Sequence, residues 1–267
     1  GSWIAIHLEK ELAKKEDTKE KSSSDSTKKV EKPKKTDGTK LLVRSLDGTK
    51  TWDIERVKSF SFSPNGDFLY YVLAEEEKQD NAALHLLELS SGEHRLVHEK
   101  MTSYARMAFS PQSGYLSFVT SDDSLKAKKP SHKLLVYDVK KKAMLAELDK
   151  SAVKLENSRI SPDASLRFSE DEGRLFFGVS PEYQDYAYEN DSTLLDEDRV
   201  SLDIWGWQED EIQPMQLKNK SQEEKKSYLA VLSLKDLRVV QLGTPEVDEV
   251  QLENKITKSI ALASTDA

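Results

Sequence analysis

Apolar positions along this chain fall in runs of five or six residues separated by turn residues, not at a helical period. "FSPNGDFLYYV" (62–72), "FSPQSGYLSFV" (109–119) and "FSEDEGRLFFG" (168–178) are one phrase written three times without gaps, 47 and then 59 residues apart. Phe62, Phe109 and Phe168 open the copies, and Leu69, Leu116 and Leu175 follow seven residues later. The glycine moves by one place, Gly66 against Gly114 and Gly173, which predicts a turn that varies inside a fixed apolar frame. Pro64 pre-sets φ, and Gly66 accepts angles that a side chain resists. The run after each turn is too short for a helix and rich in aromatic and β-branched residues. It does not alternate cleanly, so it predicts a strand covered on both faces.

A second phrase follows each first one. "LHLLELSSGEHRLV" (84–97), "KLLVYDVKKKAMLAEL" (133–148) and "YLAVLSLKDLRVVQL" (228–242) each predict a strand, a turn and a strand. "KLLVRSLDGTKTWDI" (40–54) is a fourth copy, with Asp47-Gly48 as its hairpin signal. A turn with its strands followed by a hairpin makes a four-stranded unit, and a repeat of about 40–50 residues built from such units points to propeller blades. The expected fold is therefore all-β, a partial β-propeller of about four four-stranded antiparallel blades with charged loop or helical insertions. The blade units run roughly 1–55, 56–100, 101–155 and 160–243, with the start of a fifth at 244–267 and insertions at 9–38 and 181–227.

"GSWIAIHL" lies over "GDFLYYVL" (66–73), with Gly1 on Gly66 and Ile4 on Leu69, so the chain is expected to begin inside a repeat. A vector-derived Gly1-Ser2 is the alternative. "VQLENKITKSIALAST" (250–265) reads as the opening of a further unit, and the whole reads as a fragment. An open arc of blades exposes two apolar faces, so the isolated chain is expected to dimerise, aggregate or fray at its ends.

Composition changes this picture only at the insertions. The 267 residues are 37% hydrophobic and 33% charged, with a mean hydropathy of −0.67. No apolar run approaches the ~18 residues of a membrane span. With no cysteine there is no disulfide, thiol nucleophile or cysteine-ligated zinc. A net charge of −8 argues against nucleic acid as a partner. Residues 9–38 carry ten lysines against eight acidic residues, a net of +2, and read as a solvated loop, with a polyanion contact as the other reading. Residues 181–211 are different: eleven acidic residues face one basic residue, Arg199, with Tyr183, Tyr186 and Tyr188 interleaved. One reading is a solvent-facing loop. The other is an electronegative patch for a cationic group such as a peptide amino terminus, with Glu182, Glu189, Asp191, Asp196, Glu197 and Asp198 as candidates.

Catalytic parts are missing. The sequence holds no G-x-S-x-G elbow and no G-x-x-x-x-G-K phosphate loop. His94 and His98 are four apart in a strand reading, where four residues span about 13 Å, too far for one ion. His7, His85 and His132 have no companion in sequence. Trp205 and Trp207 in "DIWGW" share a strand face, as blade packing or, less simply, ligand stacking would use them. No catalytic residue, metal ligand or cofactor site is expected.

"SLDIWGWQEDEIQPMQLKNKSQEEKKSYLAVLSLKDLRVVQLG" (201–243) resembles a stretch in the propeller of bacterial prolyl oligopeptidase-type serine peptidases, of the dipeptidyl-peptidase and acylaminoacyl-peptidase-like kind. The resemblance rests on the "DIWGW" strand, the "QPMQL" link, a charged helical-looking segment and "YLAV" before "VVQLG". It implies a parent enzyme whose C-terminal α/β-hydrolase domain carries Ser, His and Asp, while the propeller caps the active site and limits peptide substrates. None of those three catalytic positions lies in this sequence, and no site residue is carried over. It also implies a periplasmic or secreted parent. The alternative is a stand-alone TolB-type or WD-type scaffold for protein–protein interaction.

Overall fold

A computed structural model describes residues 2–8, 38–74, 82–123, 127, 129–183, 213–247, 249–253 and 261–264. They form two compact units, Gly1–Tyr104 and Ala105–Ala267. The first is built from β1 (Trp3–His7), β2 (Thr39–Ser45), β3 (Thr51–Phe62), β4 (Phe68–Leu73), β5 (Ala82–Glu88) and β6 (Glu93–Met101), neighbours in chain order and antiparallel throughout. Leu41, Val43, Ile54, Val57, Leu69, Tyr71, Leu87 and Leu89 form its core, with Trp3, Trp52, Phe60 and Phe62 packed against them.

The sequence predicts separate four-stranded sheets, whereas this one runs unbroken through six strands. The cause is β3. Its first half pairs with β2 and its second half with β4, and the register shifts on both sides near Arg56, whose φ is +60°. One bulge in the left-handed region thus lets a single strand serve two modules. Gly38 makes the bend possible: a Cβ there would stand 2.6 Å from the Arg56 carbonyl oxygen.

The second unit holds two larger sheets and a small one. β7 (Ser103–Phe109), β8 (Tyr115–Ser121), β9 (Lys133–Asp138) and β10 (Ala143–Leu148) form the first, ordered β10-β9-β8-β7. A 3₁₀ turn, Lys150–Ala152, leads to β11 (Ser158–Ile160), β12 (Arg167–Phe168), β13 (Arg174–Pro181), β14 (Tyr228–Ser233) and β15 (Val239–Gln241), ordered β11-β13-β14-β15 with β12 also on β13. β16 (Glu249–Leu252) pairs with β17 (Ala261–Ser264). Helix α1 (Gln213–Glu223) lies between β13 and β14 in the chain. It begins at the "QPMQL" that reads as a link in the sequence, because Pro214 sits in the first turn, where its missing N–H is not needed.

These two larger sheets share one core. Val119, Leu134 and Val136 from the first pack with Phe168, Leu175, Phe177, Val179, Ala230 and Leu232 from the second. The Tyr115 ring stacks on Phe168 at 6.4 Å and 16°. Each buried aromatic or branched side chain of this kind contributes about 1.5–3 kcal/mol. Burial is two-sided in the strands that follow the repeated turn: Leu69 to Val72 in β4, Leu116 to Ser121 in β8 and Leu175 to Ser180 in β13 are all buried. Modules in the second unit therefore stack face to face, and the chain has the sheet content of a partial β-propeller.

The repeated turn is more regular than its glycines. Ser63, Ser110 and Ser169 each donate a backbone N–H to the carbonyl five residues on (2.8, 2.9 and 3.0 Å) and accept the returning N–H on the hydroxyl (2.9, 2.9 and 3.0 Å). The left-handed residue is always the third after the serine: Gly66 (φ +76°), Ser113 (+60°) and Glu172 (+53°). The glycine moves in the sequence, but the conformation stays. Ser45 builds the same ring with Lys50 around Gly48 (φ +72°). A second bond repeats as well. The N–H of Leu46, Leu89, Val139 and Leu234 reaches the carbonyl of Ser2, Asp67, Gly114 and Gly173, so β1 occupies the place of β4, β8 and β13.

Candidate functional site

With the strands consumed by packing, chemistry is left to loops and strand ends. The end of β13 opens the acidic insertion. Glu182 donates its backbone N–H to the Asn157 carbonyl at 2.8 Å, which fixes where the insertion leaves the sheet. Its half-exposed carboxylate pairs with Lys150 Nζ at 3.4 Å, a contact of small energetic weight at such exposure. Glu189, Asp191, Asp196, Glu197 and Asp198 lie outside the described residues, as do Tyr186, Tyr188, Trp205 and Trp207. The structure thus places one of the six acidic candidates, Glu182.

Tyr183, next in line, has a definite partner. Arg159 Cζ lies over its ring, 3.8 Å from the centroid, a cation–π contact strengthened by burial. Burial pushes the Arg159 guanidinium below its ordinary range, against the pull of Tyr183 and Asp163. It also pushes the Tyr183 phenol up. Sequence reasoning missed Arg159, which stands alone in a three-residue strand with no spacing to mark it.

The histidines serve as packing and hydrogen-bonding groups. His94 Nδ1 and His98 Nδ1 belong to separate pairs, with the Tyr71 hydroxyl at 2.9 Å and the Tyr104 hydroxyl at 3.1 Å. Burial drives the Tyr71 phenol up to about 12 and holds His94 below its ordinary value. His85 stacks on Tyr71 at 5.2 Å; burial first, then the His94 charge, lowers it. His7 Nε2 lies 2.9 Å from the Val57 carbonyl oxygen and 2.8 Å from Thr39 Oγ1. Among the described residues no three His, Asp or Glu side chains are grouped as a metal site.

In the first unit a depression of about 460 Å³ lies between Trp3 and the Ser45–Lys50 turn. Its one carboxylate, Asp47, already accepts from Ser45 Oγ (2.5 Å), Thr49 N (3.0 Å) and Thr49 Oγ1 (2.8 Å), and the Ser45 hydroxyl foremost lowers it to about 2. That depression is turn chemistry.

The sheets and turns define an all-β chain of propeller modules. No family model matches the chain, and no curated protein matches its sequence. Among solved structures, it is similar to the β-propeller domain of the Trilobed protease from Pyrococcus furiosus (10% identity, TM-score 0.46, covering 84% of this chain and 59% of that one). It is also similar to Pyrococcus horikoshii acylaminoacyl peptidase (12% identity, TM-score 0.40, 77% of this chain and 28% of that one). A third likeness is to TolB from Acinetobacter baumannii (12% identity, TM-score 0.30, 80% of this chain and 51% of that one). The chain spans less than two thirds of each.

Proposed function

We propose that this chain is a non-catalytic β-propeller segment of a prolyl oligopeptidase-type serine peptidase, where it caps the active site and gates peptide substrates. In this reading the blades run 1–55, 56–100, 101–155, 160–243 and from 244 onward, fanned about one axis. The partner is a C-terminal α/β-hydrolase domain of the same parent, and open blade faces allow a homodimer when that partner is missing. The observation that carries the reading is two-sided burial of β4, β8 and β13, which leaves strand-end loops as the surfaces able to meet a ligand. The most charged of those loops opens at Glu182 and carries a net of −10 over residues 181–211, a match for a peptide amino terminus.

Charge reversal tests this. Glu197→Lys with Asp198→Lys in the full-length protein should raise KM for peptides with a free amino terminus and leave N-acetylated peptides unchanged. Equal effects on both would remove the gating role. The alternative, a TolB-like or WD-like scaffold, draws on the same repeated modules. It predicts that the coding sequence after Ala267 holds further blades and no G-x-S-x-G elbow.

A further inference from the structure

Three buried polar atoms near one end of the β11–β13 pair have no hydrogen-bond partner among the described residues: Arg159 Nε, Ser180 Oγ and His132 Nδ1. Their residues are 7%, 2% and 9% exposed. Arg159 and Ser180 are directly opposite in the register, so their side chains leave the same face of the sheet. Ile160 and Val179, the adjacent opposed pair, face the other way into the core. His132, just before β9, is near enough to the guanidinium to feel its charge, with Asp163 and Asp123 as further charged neighbours and the Pro130 backbone as a hydrogen-bonding partner of the ring. Packing alone does not gather such groups, because a buried charged donor without an acceptor is costly.

The geometry narrows what would satisfy them. Tyr183 covers a face of the guanidinium, not its hydrogen-bonding edge. The Nη1 contact to the Ile160 carbonyl is long, 3.5 Å, and the Nε edge is aimed elsewhere in the plane. An arginine edge and a hydroxyl side by side match the two oxygens of a planar carboxylate. Asp163 offsets part of the arginine's charge, and burial followed by the Arg159 charge disfavours the imidazolium form of His132. That balance suits a monoanion and disfavours a phosphate dianion.

We propose that Arg159, Ser180 and His132 form a binding site for a carboxylate group, that of a small organic acid or of a peptide chain end, with Tyr183 supporting the guanidinium from below. The site concerns binding by this chain itself and stands whether or not the peptidase reading does. The test is the side-chain Nε–Hε signal of Arg159 in ¹⁵N NMR of the 267-residue chain, assigned by its loss in Arg159→Lys. Acetate, N-acetyl-alanyl-alanine and the C-terminal amide of that dipeptide are titrated in turn. A saturable shift with a free acid and none with the amide is expected, about tenfold weaker in Ser180→Ala. Tighter binding of the peptide acid than of acetate assigns the site to a chain end, and equal binding assigns it to small acids. No shift with either acid, or the same response to acid and amide, would overturn the proposal and leave the three atoms to buried water.

Discussion

The Glu172 carboxylate accepts the backbone N–H of Gln112 at 2.9 Å and of Gly114 at 3.3 Å, so one repeated turn completes another. In two copies of the turn the work is internal: Asn65 Oδ1 takes the N–H of Asp67, and Asp171 Oδ1 that of Gly173, both at 3.1 Å. The middle copy has Gln112 at that place, one carbon too long for the local bond, and Glu172 supplies the missing acceptor from the next module. Glu172→Ala should cost about 1–2 kcal/mol, the value of charge-assisted bonds discounted for partial exposure. Glu172→Gly should cost about 1 kcal/mol less than that, because it loses the same bonds but relieves a φ of +53°. Urea unfolding of the two variants measures both, and equal losses would mean the turn stores no strain.

A second family of turns gives a matched pair of opposite sign. Gly92, Lys142 and Leu237 each stand four residues past the end of a hairpin's first strand at positive φ, +78°, +57° and +54°. Leu237 is 46% exposed and has little burial to lose, so Leu237→Gly should stabilise by about 0.5–1 kcal/mol. Gly92→Ala should destabilise by about 1–3 kcal/mol, since its Cβ would stand 2.7 Å from Trp52 Nε1. Thermal melts of the two variants should move in opposite directions.

Acid should weaken the fold in two stages. His85, lowered by burial and by His94, with Glu99 opposing, and His132, lowered by burial and by Arg159, with Asp163, Asp123 and a hydrogen bond to the Pro130 backbone opposing, are both pushed below their ordinary value in the folded state. A depressed histidine contributes stability that is full above its unfolded value of 6.5 and lost as pH falls through the lower folded value. Urea midpoints should therefore begin to fall just below pH 6.5, before the lowered carboxylates of Asp123, Asp149 and Asp171 protonate below 3.8. His132→Asn should flatten the first stage, and an unchanged slope would show that the fold does not lower His132.

The apolar frame was legible in the sequence because the runs that follow Phe62, Phe109 and Phe168 are the parts the fold buries, Leu69 to Val72, Leu116 to Ser121 and Leu175 to Ser180. The left-handed position was not, since glycine occupies it in one of three copies, while the serine hydroxyl and the returning strand hold Ser113 and Glu172 there at a cost. The weld at Arg56 was hidden for a related reason: its only mark is Gly38, which reads as the end of a charged loop. Arg159 and Ser180 stand 21 residues apart and meet through register alone, which no spacing rule finds. The acidic candidates were legible as composition, and only Glu182 is placed by the strand that carries it.

On the proposed reading these modules position peptides and do not cut them. Incubating the purified 267-residue chain with a fluorophosphonate serine-hydrolase probe and a panel of peptides tests it most directly. The expected result is no covalent label and no cleavage; stoichiometric labelling of a serine, with peptide turnover that the probe abolishes, would contradict it.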